Sequence, residues 1–252
     1  MSLLKSPTEI QTLKQGGEIL ANILQQVIEK CTPGITTGEL NQFAEEMIYT
    51  AGGEPSFKGY GDPPYPSGLC TSINNELVHG IPGEVILKDG DILSLDIGMR
   101  YPKSSGLYTD MAVTVPIGKI DAQTEKLIRV TKRALEIWTS NLKAGDNLYA
   151  VAKLVQEYIE REGFSVVREM VGHGVGHAVH EDPPIPNYYI RNTEFILKEG
   201  MVLALEPMVS SGDFRIKVLD DQWTISSIDN SLTAHFEHTV VITKRGCDII
   251  TK

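Results

Sequence analysis

Four acidic residues in this chain stand at the ends of apolar runs. Asp96 follows Ile92-Leu93-Ser94-Leu95, and Glu206 follows Val202-Leu203-Ala204-Leu205. Asp110 precedes Met111-Ala112-Val113-Thr114-Val115, and Glu237 precedes His238-Thr239-Val240-Val241-Ile242. A single strand-end carboxylate facing water needs no explanation. Four at corresponding places imply a cluster, and buried, unpaired carboxylates are too costly to stand without cations. A divalent metal supplies that charge to hard oxygen ligands.

Imidazoles are offered by Gly172-His173-Gly174-Val175-Gly176-His177-Ala178-Val179-His180. His173 and His177 have the spacing of a zinc-binding helix. Gly174 and Gly176 argue against it, because each interior glycine costs a helix about 1 kcal/mol, and the glutamate of His-Glu-x-x-His is missing. The glycines point instead to backbone packed closely against a neighbour. The chain has no Gly-x-Ser-x-Gly elbow and no cysteine in a nucleophile signature, so covalent catalysis has no candidate.

The elements that must carry these residues are legible from periodicity. Ser6-Pro7-Thr8-Glu9 reads as a capped helix start, followed by apolar residues at helical spacing to Ile28 and a stop at Thr32-Pro33-Gly34. Further helices are predicted over about 37–51, 122–141 and 148–162, and strands over 92–97 and 111–115. The last hundred or so residues look strand-rich. Helices and strands do not alternate, which excludes a doubly wound sheet and points to an α+β fold. An internal repeat organises the whole. Leu87–Asp96 aligns without gaps onto Leu197–Glu206; Gly34, Leu40, Phe43 and Gly52 fall on Gly145, Val151, Leu154 and Gly163; Val78-His79 resembles Val179-His180. The expectation is one catalytic domain over 1–252, built from halves of about 1–120 and 121–252 around a pseudo-two-fold axis that brings Asp96 near Glu206.

Composition narrows the function classes. With 252 residues the core needs no disulfide or metal merely to exist. The three cysteines, Cys31, Cys70 and Cys247, form no Cys-x-x-Cys pair and read as reduced thiols of a cytoplasmic protein. A net charge of −10 without a basic run argues against DNA as a partner. No apolar stretch is long enough for a membrane span, and the N-terminal residues lack the pattern of a signal peptide.

Val78-His79-Gly-Ile-Pro, Leu95-Asp96-Ile-Gly, Thr109-Asp110, Gly172-His173-Gly-Val-Gly, Leu205-Glu206-Pro-Met and Phe236-Glu237-His-Thr, in this order, resemble the type I methionine aminopeptidases. The resemblance runs from about Ser6 to Ile249. It implies the pita-bread α+β fold and a centre of two divalent ions (Co, Mn, Fe or Zn). On it, Asp96 would chelate the first ion, Asp110 and Glu237 would bridge both, and His173 and Glu206 would complete the second. Glu206 would also shuttle the proton, while His79 and His180 would contact substrate. Tyr60, Tyr65, Cys70 and Trp223 match the methionine pocket and its rim.

The implied activity is removal of N-terminal methionine from peptides and nascent chains, with a small second residue preferred. It would be carried out by a cytoplasmic monomer, with a transient ribosome contact and no membrane. The chain departs from the family pattern at three places: a wider spacing between Asp96 and Asp110, a Tyr60–Tyr65 loop enlarged by Pro63-Pro64, and His177, whose role is unassigned. Two other readings share the fold. X-Pro aminopeptidases and prolidases use the same ligand set but typically carry an extra N-terminal domain. Non-enzymatic binding modules have lost ligands, whereas all five are present here. The type II enzymes carry a long insertion before the last glutamates, for which the spacing from His173 through Glu206 to Glu237 leaves little room.

Overall fold

The computed structural model describes residues 3–252; Met1 and Ser2, where the stretch read for a leader begins, lie outside them. The first helix, α1 (Pro7–Ile28), opens on the expected capping box. Ser6 Oγ accepts the Glu9 N–H at 3.3 Å, and the Glu9 carboxylate accepts the Ser6 N–H at 2.7 Å. Thr36 and Glu39 repeat the device at α2 (Thr37–Thr50). The chain continues through β1 (Glu54–Pro55), β2 (Leu69–Ile73), β3 (Glu76–Val78) and the hairpin β4 (Ile92–Tyr101) and β5 (Leu107–Pro116). Next come α3 (Ala122–Ser140) and α4 (Leu148–Arg161), then β6 (Ser165–Val166), β7 (Gly172–Gly174), β8 (Glu181–Ile185) and β9 (Val202–Leu205). The remaining strands are β10 (Met208–Ser210), β11 (Ile216–Val218), β12 (Ile225–Ser227), β13 (Thr233–His235), β14 (Glu237–Ile242) and β15 (Cys247–Ile249).

A nine-stranded antiparallel sheet runs β1-β4-β5-β14-β9-β7-β8, with β2 also on β4 and β15 also on β14. Alternation along each strand divides its side chains between two faces. Leu93, Leu95 and Ile97 pack with Leu20 and Leu24 of α1 and Leu40 of α2. Leu203, Leu205, Val240 and Ile242 pack with Val130 and Trp138 of α3 and Val155 of α4. These helix residues cover one face, and Ser94, Asp96 and Gly98 turn toward the other, where the start of α1 also reaches Val202, Ala204 and Val241 through Leu13.

Each half joins its helix pair to its strand in the same way. Thr36 bridges Ile86 and Asn147 bridges Ile196. Gly34 N–H donates to Leu87 O at 2.8 Å, and Gly145 N–H to Leu197 O at 2.9 Å.

The hairpin is longer than its apolar runs predict. β4 continues to Tyr101 and β5 begins at Leu107, so Asp96 and Asp110 lie inside strands and not at their ends. Gly98 allows the extension: a Cβ there would strike Ser56 Oγ and the Phe57 ring. Met99 is fully buried beyond it. The glycine interrupts the apolar pattern without interrupting the ladder.

A short N-terminal arm ties α1 to the histidine-rich segment. Lys5 N–H donates to Gly200 O, and its ammonium meets Glu181 at 2.6 Å with both side chains buried. Glu181 also accepts the N–H groups of His177 and Ala178. The His177 ring in turn donates from Nε2 to Glu9 at 2.6 Å. Removing one partner of a buried ion pair strands the other charge. Lys5→Met is therefore expected to lower unfolding free energy by about 3 kcal/mol in urea titrations, and Lys5→Met/Glu181→Gln to recover part of that loss. Equal stability of wild type and Lys5→Met would contradict the account.

Candidate metal centre

Strand register gathers the acidic residues. Directly paired residues share a face, as do residues two apart on one strand. Asp96 pairs with Ala112, Gly98 with Asp110, and Ala112 with Glu237 across β14. On the other side of β14, Thr239 pairs with Ala204, which pairs with His173. Asp96, Asp110, Glu237 and His173 thus fall on the face opposite Leu95, Leu203 and Leu205, and Glu206 follows immediately after β9. Between them, Gly98 makes way for Ser56 and for Phe57, whose ring lines the cavity, and Ala204 packs in a cluster with Leu13 and Val175. Ligand atoms of Asp110, His173 and Glu237 lie within 4.8 Å of one another.

The β5–β14 ladder is only two pairs long, and threonines continue it at either end. Thr239 Oγ1 accepts the Asp110 N–H at 2.9 Å and donates to Asp110 O at 2.8 Å. Thr114 Oγ1 does the same for His235, at 2.8 and 2.9 Å. Side-chain hydroxyls here replace ladder bonds and fix the backbone beside the site.

The cluster is electrostatically incomplete as protein alone. Asp96 Oδ1, Asp110 Oδ1 and Glu237 Oε1 are buried without a hydrogen-bond partner. Burial raises the Asp96 carboxyl to about 6. Burial, reinforced by neighbouring carboxylates, pushes Asp110 and Glu237 well above the usual range. Glu206 is raised well above it by burial. The His173 imidazole moves the other way, lowered to about 3 by burial and by the His180 charge. Its Nδ1–H donates to Gly174 O at 2.9 Å, which leaves a bare lone pair on Nε2. That lone pair faces Glu206 Oε1 at 3.5 Å. With Glu206 ionised these are two acceptors facing each other, and a cation between them would satisfy both. The donor set therefore fits a hard divalent cation.

All eleven residues singled out from sequence line one cavity of about 790 Å³. Asp96, Asp110, His173, Glu206 and Glu237 occupy one region of its wall. His79 adopts φ +60° and is held neutral, at about 4, by burial and by the charges of His180 and His235. His180 sits at the mouth, its Nδ1 2.8 Å from the Tyr60 hydroxyl and its ring edge-to-face with His173 at 4.4 Å. Tyr65 and Trp223 form an edge-to-face pair at 5.2 Å. Cys70 is buried, and burial pushes its thiol well above the ordinary value. The enlarged loop has a use: Pro63 O accepts the Trp223 indole N–H at 3.1 Å.

His177 is not among the cavity-lining residues; it anchors the N-terminus of α1 through Glu9. Sequence reading missed His235. It is 1% exposed, with Nε2 at 3.4 Å from Glu206 Oε2 and 4.0 Å from Glu237 Oε2, and neither ring nitrogen has a hydrogen-bond partner. Its signal was present as a histidine in an apolar run, two positions before Glu237. Phe57, Val78 and Met170 also line the cavity, and no local pattern distinguishes them from core residues.

Comparison with known proteins agrees with this geometry. The model of metallopeptidase family M24 matches residues 11–244. Methionine aminopeptidase 1 of Bacillus subtilis (strain 168) is 46% identical over 252 residues, covering 100% of both chains. A methionine aminopeptidase crystal structure from Thermotoga maritima superposes with a TM-score of 0.94 at 43% identity, covering 99% of this chain and 98% of that one. The Pyrococcus furiosus prolidase, at 23% identity and TM-score 0.80, shares the fold; the match covers 99% of this chain and 65% of the prolidase.

Raised carboxyl pKa values carry a sign that can be measured. Carboxyls protonated in the metal-free protein must ionise to bind a cation, whereas the already neutral His173 releases nothing. Mn²⁺ titrated into metal-free protein at pH 6 should therefore release protons, and fewer as pH rises through the carboxyl pKa values. Calorimetry in buffers of different ionisation enthalpy reads this directly, and buffer-independent heats at pH 6 would refute it.

Proposed function

The chain belongs to metallopeptidase family M24, and from that premise we infer that it hydrolyses the first peptide bond of chains beginning with methionine, preferring a small second residue. The observation that carries this reading is the single sheet face holding Asp96, Asp110, His173, Glu206 and Glu237 inside a cavity walled by aromatic rings and a thiol. Two ions, Co, Mn, Fe or Zn, would be held by these five residues, with Asp110 and Glu237 shared between them. Four ionised carboxylates match the charge of two divalent ions, and one ion would leave half of it unbalanced. When bound, the ions would polarise the first carbonyl and acidify the attacking water.

The protein groups do the rest. Glu206, ionised once the ions are bound and made the stronger base by its burial, would take a proton from the nucleophile and pass it to the leaving amine. With the Tyr60 hydroxyl donating to His180 Nδ1, Nε2–H of His180 is a donor for the scissile amide or its oxyanion. His79, a neutral imidazole across the cavity, is the second such group. Glu169 and Asp182 among the lining residues favour an approaching cationic α-amino group. Tyr65, Cys70 and Trp223, with Tyr60 at the rim, would surround an unbranched thioether, for which aromatic edges and sulfur are good neighbours.

The substrates are peptides and nascent chains that begin with methionine, and the enzyme acts on them as a cytoplasmic monomer, contacting ribosomes only transiently. The X-Pro reading is not favoured, since its structural relatives share only the fold at this level of identity.

The decisive assay compares Met-Ala-Ser, norleucine-Ala-Ser, Leu-Ala-Ser and Ala-Pro peptides with Mn²⁺ supplied. Met-Ala-Ser and the norleucine peptide should be cleaved and the others poorly, with chelation abolishing turnover. Equal kcat/KM for Met and Leu peptides, or preference for X-Pro, would overturn the assignment. Glu206→Gln should lower kcat at least about 10²-fold, and wild-type kcat in that variant with metal bound would place the base elsewhere.

A further inference from the structure

His235 belongs to none of the roles above, yet it is the most completely enclosed imidazole in contact with the centre. Its backbone is locked on both sides: the N–H and C=O are taken by Thr114 Oγ1, itself held by Ser94 Oγ at 2.8 Å, and the residue pairs with Met208 across β10. The ring is 1% exposed, and both nitrogens lack partners although buried polar atoms almost always have one. Among the described residues, two carboxylate oxygens stand within salt-bridge distance of Nε2: Glu206 Oε2 at 3.4 Å and Glu237 Oε2 at 4.0 Å. Glu206 faces His173 Nε2 with its other oxygen, Oε1, at 3.5 Å. The two oxygens of Glu206 are therefore divided between two imidazoles, and the two imidazoles differ. His173 spends its ring N–H on Gly174 O and turns a lone pair to Glu206. His235 has no such acceptor at Nδ1, so its proton is free to reside on Nε2, where a carboxylate can accept it.

We propose that His235 is a positioning residue: Nε2–H, 3.4 Å from Glu206 Oε2 but not aligned for a hydrogen bond in this structure, turns onto that oxygen in the working site and fixes the carboxylate so that Oε1 stays directed at the metal side of the cavity. The proposal rests on the reading of Glu206 as ligand and proton carrier. A carboxylate serving both functions must present one oxygen in a constant direction while its charge changes, and a buried donor on the other oxygen does this. Outer groups of this kind typically change metal affinity or activity 10- to 100-fold.

The test compares wild type, His235→Ala, His235→Gln, Glu206→Gln and the double variant His235→Ala/Glu206→Gln. Mn²⁺ affinity of the metal-free protein is measured by calorimetry, kcat and KM are measured on Met-Ala-Ser, and circular dichroism checks folding. Gln places an amide N–H near the position of Nε2, so it retains the donor and serves as the control against simple loss of packing. His235→Ala should weaken Mn²⁺ binding and lower kcat by 10-fold or more with KM changed less than 3-fold, and His235→Gln should recover most of both. In the Glu206→Gln background, His235→Ala should change Mn²⁺ affinity less than 3-fold, because the group it acts through is already altered. Wild-type affinity and kcat in His235→Ala would overturn the proposal. So would an undiminished effect in the Glu206→Gln background, or loss of an ion that Gln does not restore, which would make His235 a direct ligand. Wild-type activity in Glu206→Gln itself would remove the underlying reading first, and that variant reports it separately.

Discussion

The structure turns on one electrostatic constraint: four carboxylates converge on a single sheet face, and three of them are buried with an oxygen that no protein donor satisfies. Asp96, Asp110 and Glu237 are nearly inaccessible, and each keeps an unpartnered oxygen. Such a group of acids repels itself, and only an independent framework can hold it together. The ladder pairs Asp96–Ala112, Gly98–Asp110 and Ala112–Glu237 provide that framework through backbone bonds that do not involve the carboxylates. Where the ladder between β5 and β14 runs out, Thr239 and Thr114 continue it with side-chain hydroxyls. The body of α1, with α2, α3 and α4, packs on the opposite face of the same strands.

Much of this was legible locally. Helix starts announced themselves through Ser6 with Glu9 and Thr36 with Glu39, because a capping box is a contact between residues three apart. The acids were found because a polar residue beside an apolar run, repeated at a fixed offset, is a pattern in one dimension. The family motifs then supplied the fold class and the reaction. What sequence could not carry was non-local. The continuation of β4 past Gly98 depends on Ser56 and Phe57 filling the space of a missing Cβ. The use of Pro63 depends on Trp223, far along the chain. His177 had no role assignable from sequence because its partner is Glu9, far away in the first helix. His235 was passed over because alternation in a strand assigns a face and says nothing of what occupies it.

The two halves resemble each other most where they are structural and least where they are chemical. Thr36 and Asn147 cap equivalent helices and bridge equivalent residues, Ile86 and Ile196. His79 and His180, by contrast, have taken separate courses. The former is turned inward at a positive φ and kept neutral by burial, while the latter is exposed at the mouth and held by Tyr60. A duplicated frame with divergent inserts reconciles symmetry of support with asymmetry of task, since a peptide bond presents different atoms to its two sides.

The same division explains why neutral imidazoles and reluctant carboxylates occur together. Burial acts on both in the direction of the uncharged form, lowering His173 and His79 and raising Asp96, Asp110 and Glu237. For histidine the uncharged form is already the ligand, so burial prepares it. For a carboxylate the uncharged form must first give up a proton, so burial sets a barrier that only a strong counter-charge can overcome. A monovalent ion offsets one carboxylate and a divalent ion two, so a cluster of buried carboxylates is the better match for divalent ions. Gly98 belongs to this arrangement too, because a side chain there would strike Ser56 and Phe57, whose ring lines the cavity.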